Sequence, residues 1–119
     1  MKARLKSEPR KFAPLVGLEI GDCGEVELGI DEQITVVTEA GRGNDIIRKE
    51  WGFYLSNSLN ANLAAKGFKT ALVVSYASAP PRIYLNLVER DKMAAFEAYL
   101  RAFDARVLCW LDEWLPPVA

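Results

Sequence analysis

The residues best suited to bind another molecule are aromatic and amide side chains in the middle of the chain. Trp51, Phe53 and Tyr54 precede a segment, 56–62, that contains three asparagines. Aromatic rings stack on sugars, nucleobases or peptide planes, and amides both donate and accept hydrogen bonds. Asparagine is a mediocre helix former, so three in this segment are more than a solvated helix face requires. The competing interpretation is a core tryptophan beside a solvated helix.

A second candidate is the stretch Gly41-Arg42-Gly43-Asn44, between a predicted strand and a predicted helix. Backbone amides at such a turn, together with the Arg42 guanidinium, can hold a phosphate or a carboxylate. The stretch matches neither glycine-rich phosphate-binding pattern, and Asp45 adds negative charge where an anion would approach. We expect an exposed turn, with an anion site as the alternative.

Tyr84, Asn86 and Trp110 are placed on one face of a predicted sheet. In single-stranded RNA readers built on such a sheet, exposed aromatic residues stack bases. No stretch of this chain resembles the aromatic and basic signature of those readers. The net charge is −1 and the basic residues concentrate near the N-terminus, which leaves an acidic body. Both observations disfavour nucleic acid as a partner.

Catalytic residue types are scarce. The chain has no histidine, and no serine or cysteine lies in a recognisable nucleophile setting, so acid–base chemistry would fall to carboxylates, lysine or tyrosine. Asp112 and Glu113 form a carboxylate pair between two tryptophans, although a solvated chain end is the expectation. Cys23 and Cys109 are too few for a disulfide framework or a metal site and indicate reduced thiols. We assign no catalytic residue, metal or cofactor.

Length and composition limit the class of protein to which this chain can belong. A chain of 119 residues, half of them apolar, can bury a core without disulfides or metals. No apolar run approaches the roughly 20 residues that span a bilayer, and the N-terminus lacks the apolar segment of a signal peptide. The sequence predicts a cytoplasmic protein without membrane contact. Its predicted parts are a basic flexible tail at 1–12, a single α+β domain at 13–115 and a C-terminal tail at 116–119.

The strongest periodic signals lie between Phe68 and Leu111. They predict strands at 68–75, 82–89 and 106–111 and a helix at 91–103, capped by Asp91. The predicted apolar face of the helix consists of Met93, Phe96, Leu100 and Phe103.

The first half of the chain is less regular. Its patterns predict a hairpin at 15–30, with the turn at Gly21–Gly24, and a strand at 34–38. Apolar residues then recur every four positions, which predicts a helical region at 45–66 that is interrupted near Gly52. Ser56 is expected to cap its second segment and Gly67 to end it.

From Ile34 onward, this order is β-α-β-β-α-β. It corresponds to a ferredoxin-like sheet with helices on one face, preceded by the N-terminal hairpin. Such a sheet should carry a polar second face. Here Ile83, Leu85 and Leu87 are assigned to the core, yet the opposite face is also apolar: Ala71, Val73, Tyr84, Val88, Leu108 and Trp110. The hairpin, a second copy of the chain or another protein must cover it, and we expect a homodimer because symmetric dimers are the commonest oligomers.

These observations predict a non-catalytic accessory or interaction module that self-associates through its sheet face and contacts a protein or small-molecule partner. The alternative is a small cofactor-free enzyme or a ligand sensor, with a pocket between sheet and helices near Trp51 and Asn57–Asn62. The residues expected to contact a ligand or partner are Arg42, Trp51, Tyr54, Asn57, Asn60, Tyr84, Asn86 and Trp110.

Overall fold

The structure, a computed structural model, describes residues 1–15 and 17–115, without the side chain of Leu15. It is an α+β protein in which strands predominate. The chain divides into two compact units: one comprises 1–35 and 45–54, and the other comprises 36–44 and the chain from Leu55 onward. The C-terminal tail predicted at 116–119 lies outside the described residues.

An N-terminal hairpin is present in the first unit, as predicted, but its strands lie between Lys2 and Glu27 rather than at 15–30. Strand β1 (Lys2–Leu15) pairs antiparallel with β2 (Leu18–Glu27), so the basic residues of 1–12 lie in β1. Opposite charges face each other across the ladder, with Arg4 Nε 2.8 Å from Glu25 Oε1 and Lys6 Nζ 2.9 Å from Asp22 Oδ2. Such cross-strand pairs favour this register of the two strands.

The Gly21–Gly24 segment, predicted as the hairpin turn, lies within β2. The register of the hairpin shifts between Leu5 and Arg10 of β1, opposite this segment. Gly24 has φ +127°, and a Cβ there would lie 2.2 Å from the Arg4 carbonyl oxygen, so only glycine fits. Residues typical of a turn therefore mark a bulge here.

A three-stranded sheet with the order β3-β4-β5 follows, formed by β3 (Gln33–Val37), β4 (Gly43–Lys49) and β5 (Gly52–Leu55). Strand β3 confirms the strand predicted at 34–38. Strands β4 and β5 occupy the first part of the predicted helical region, so that prediction is wrong there. The β-branched pair Ile46–Ile47 favours a strand, because such side chains lose rotamer freedom in a helix.

Helix α1 (Asn62–Ala65), in the second unit, is a single turn that packs against β6 (Phe68–Ser75). The hydroxyl of Ser58, not the predicted Ser56, accepts the Asn62 N–H at 2.9 Å. Gly67 ends the helix with φ +95°, as predicted.

The second sheet of three strands has the order β7-β6-β8, with β7 at Arg82–Glu89 and β8 at Ala105–Trp110. A short 3₁₀ turn at Arg90–Lys92 leads into α2 (Met93–Ala102), which packs against β7 and β8. These elements confirm the predicted strands and helix to within two residues at each end. The predicted cap is wrong, since no side chain caps α2 and Asp91 binds Arg42 instead.

The ferredoxin-like order is not confirmed. Strand β3, expected as the first strand of the same sheet, lies with β4 and β5, while β6 is flanked by β7 and β8. Of the two segments of the helical region predicted at 45–66, the first is replaced by β4 and β5 and the second is reduced to the single turn of α1. What the structure supports is an α+β protein that begins with a β-hairpin.

The two faces of the β7-β6-β8 sheet are the reverse of the prediction. In the observed register, Ala71 lies between Asn86 and Trp110, and the Trp110 ring meets Phe96 of α2 edge-on at 6.1 Å. The face that packs against α2 is therefore the one predicted to need another cover. Ile83 and Leu85, assigned to the core, are on the opposite face and are largely exposed.

Candidate functional site

Trp51 and Tyr54 form an exposed aromatic pair on the hairpin of β4 and β5. Their ring centroids are 5.9 Å apart and the ring planes are inclined by 28°. Trp51 is 71% exposed, so its alternative assignment to the core is wrong. Phe53, between them, is exposed as well. The pair presents stacked ring surface to solvent, which suits contact with another planar or apolar group.

The two predicted asparagines differ in accessibility. Asn57 is buried, whereas Asn60 is exposed in the turn before α1. A buried amide is held by contacts inside the protein, so Asn57 is a structural residue rather than part of a binding surface. Trp51 belongs to the first unit and both asparagines to the second.

Arg42 is occupied by two carboxylates. Its Nη1 lies 2.8 Å from Asp91 Oδ1 and 3.2 Å from Glu89 Oε1. The hydrogen bond from Arg42 holds the pKa of Asp91 below its usual range, and the same contact raises the pKa of Arg42. Because internal carboxylates already neutralise the guanidinium, the anion site proposed at this turn is not supported.

The structure brings Tyr84, Asn86 and Trp110 onto one sheet face, as predicted, but α2 packs on that face. Trp110 is half-buried beneath Phe96, and Lys69 Nζ lies 4.8 Å from the centroid of its indole ring. Asn86 is half-buried, and only Tyr84 remains exposed. Trp110 is therefore a packing residue, and these three side chains do not form an open stacking platform.

The Asp112–Glu113 pair is split between interior and solvent. Asp112 is 6% exposed at its side chain, accepts the Thr70 N–H at 2.8 Å and lies 3.3 Å from Lys69 Nζ. Glu113 is exposed and lies 2.6 Å from the same ammonium, which raises the pKa of Lys69. A lysine held in its charged form is a poor base or nucleophile. The expectation of a solvated pair is thus wrong for Asp112, which serves to anchor the end of β8 to β6.

The first half of β7 carries an exposed apolar surface that includes the predicted Tyr84 together with Ile83 and Leu85, which the sequence assigned to the core. Ile83 is 63% exposed, and Tyr84 and Leu85 are more than half exposed. On β8, Leu108 is also half exposed. The sequence shows that both faces of this strand carry apolar side chains, because Ile83, Tyr84 and Leu85 follow one another without a charge, but it does not show which face α2 covers.

No protein-family model, curated protein or solved structure matches this chain.

The described residues can also be considered for metal sites, membrane spans and surface depressions. Within 1–15 and 17–115, no histidine, cysteine, aspartate or glutamate side chains are grouped so as to hold a metal ion. In the same residues, no helix combines the length and apolar character needed to cross a bilayer. A depression of about 480 Å³ on the β1–β2 hairpin is lined by Arg4, Lys6, Asp22 and Glu25, which are already paired with one another.

Proposed function

We propose that this chain is a small cytoplasmic, non-catalytic accessory module that self-associates through the face of the β7-β6-β8 sheet that bears Ile83 and Leu85. The observation that carries the proposal is the exposure of these two side chains, 63% and 51%. Contiguous apolar side chains on a surface mark sites of association, because their burial removes apolar area from water. Arg42 and Lys69 are both paired with carboxylates of the protein itself, so neither is available to act on a substrate, and this supports a role without catalysis.

The test is the molar mass in solution, measured by size-exclusion chromatography with light scattering over a wide dilution series. We expect a species of twice the 13.3 kDa chain mass. The variant Leu85→Lys is expected to elute as a single chain, because a charge at the interface has to be desolvated. Val36→Lys is the matched control, since Val36 is equally exposed, at 51%, on β3. A single-chain mass for the unmodified protein at every concentration would reject the proposal.

A second candidate function is ligand or partner binding by Trp51 and Tyr54, as in the ligand-sensor alternative. The exposed stacked rings favour it. A panel of saccharides, nucleosides and short peptides is tested by thermal shift. A ligand at 100 times its dissociation constant raises the free energy of unfolding by about 2.7 kcal/mol. Trp51→Ala should abolish any shift, while Trp114→Ala, another exposed tryptophan, should leave it unchanged. Absence of a shift across the panel would count against this candidate.

A further inference from the structure

We draw no further inference here: the strongest candidate, the outer edge of β7, pairs with no strand in the part of the chain that the structure describes, and nothing in the structure shows what covers it.

Discussion

The guanidinium of Arg42 donates a hydrogen bond to the carboxylate of Asp91, 49 residues away in the chain, with Nη1 and Oδ1 2.8 Å apart. The same Nη1 donates to Glu89 at the end of β7. One arginine in the turn after β3 is thus fixed to the junction between β7 and α2. Turn residues that looked suited to hold an external anion are satisfied by two internal ones.

The Arg42–Asp91 contact predicts a pH-dependent contribution to stability. The pKa of Asp91 is lower in the folded protein than its ordinary value, chiefly through the hydrogen bond from Arg42. A lowered pKa stabilises the fold when the carboxylate is charged, and this contribution is lost as the pH falls through and below about 3.9. The melting temperature of Asp91→Asn should therefore lie below that of the unmodified protein at neutral pH, and the two should converge in acid.

A double-mutant cycle tests whether the Arg42–Asp91 contact causes this pH dependence. In an Arg42→Gln background, the change Asp91→Asn should have little effect at any pH, because its partner is already absent. A pH-independent difference between the unmodified protein and Asp91→Asn would show that the contact does not act through charge.

The exposure of Trp51 predicts that its removal hardly affects folding. Trp51→Ala loses the stacking with Tyr54, worth about 0.5 to 1.5 kcal/mol, and little burial. The comparison is Leu63→Ala, which truncates a fully buried side chain and should cost about 2 to 5 kcal/mol. Urea denaturation of both variants measures the difference. A loss of stability for Trp51→Ala as large as that for Leu63→Ala would place its ring in a buried contact.

The Ile47–Trp51–Leu55 spacing explains why the sequence predicted a helix where β4 and β5 lie. Four residues are just over one helical turn, but they are also two full repeats of a strand. Positions of period four therefore share one face in either structure, and the signal is ambiguous. Local residues decide: Gly52 has φ +141°, which interrupts a helix and permits the turn between the two strands.

The elements from β6 to β8 were predictable because alternation and helical periodicity were both long and unbroken there. The sequence did not predict which face of each strand packs against α2. Strand β7 carries apolar residues at both odd and even positions, so its alternation does not show which set faces α2. On β8, the bulge at Leu108 places Val107 and Trp110 on the same face, although their separation in sequence predicts opposite faces.

The Lys69–Asp112 contact predicts a large effect from removing one partner. Lys69→Met would leave the Asp112 carboxylate buried without its counter-charge, at a cost of about 3 kcal/mol. The double variant Lys69→Met/Asp112→Leu should recover part of this loss, since no unpaired charge remains. Chemical denaturation of the three proteins measures both effects. If the double variant is less stable than Lys69→Met, the hydrogen bond from Thr70 N–H to Asp112 outweighs the buried charge.

Thr70 offers the opposite case, a substitution expected to stabilise the protein. Its side chain is fully buried in β6, and its hydroxyl oxygen has no hydrogen-bond partner within the described residues. Burying an unsatisfied hydroxyl costs about 1 to 3 kcal/mol. Thr70→Val replaces the hydroxyl with a methyl of similar size and keeps a β-branched side chain, so the free energy of unfolding should rise by about 1 kcal/mol.

The matched control is Thr70→Ser, which keeps the hydroxyl and removes the methyl group. It should lower the free energy of unfolding by about 0.8 kcal/mol, the value of one buried carbon, or by more if a cavity remains. Urea denaturation at neutral pH compares the free energies of unfolding of the three proteins, with one m-value for all of them. The contrary outcome is that Thr70→Val is less stable than the unmodified protein while Thr70→Ser keeps its stability. The Thr70 hydroxyl would then be hydrogen-bonded in solution, and this position would require the hydroxyl rather than the methyl group.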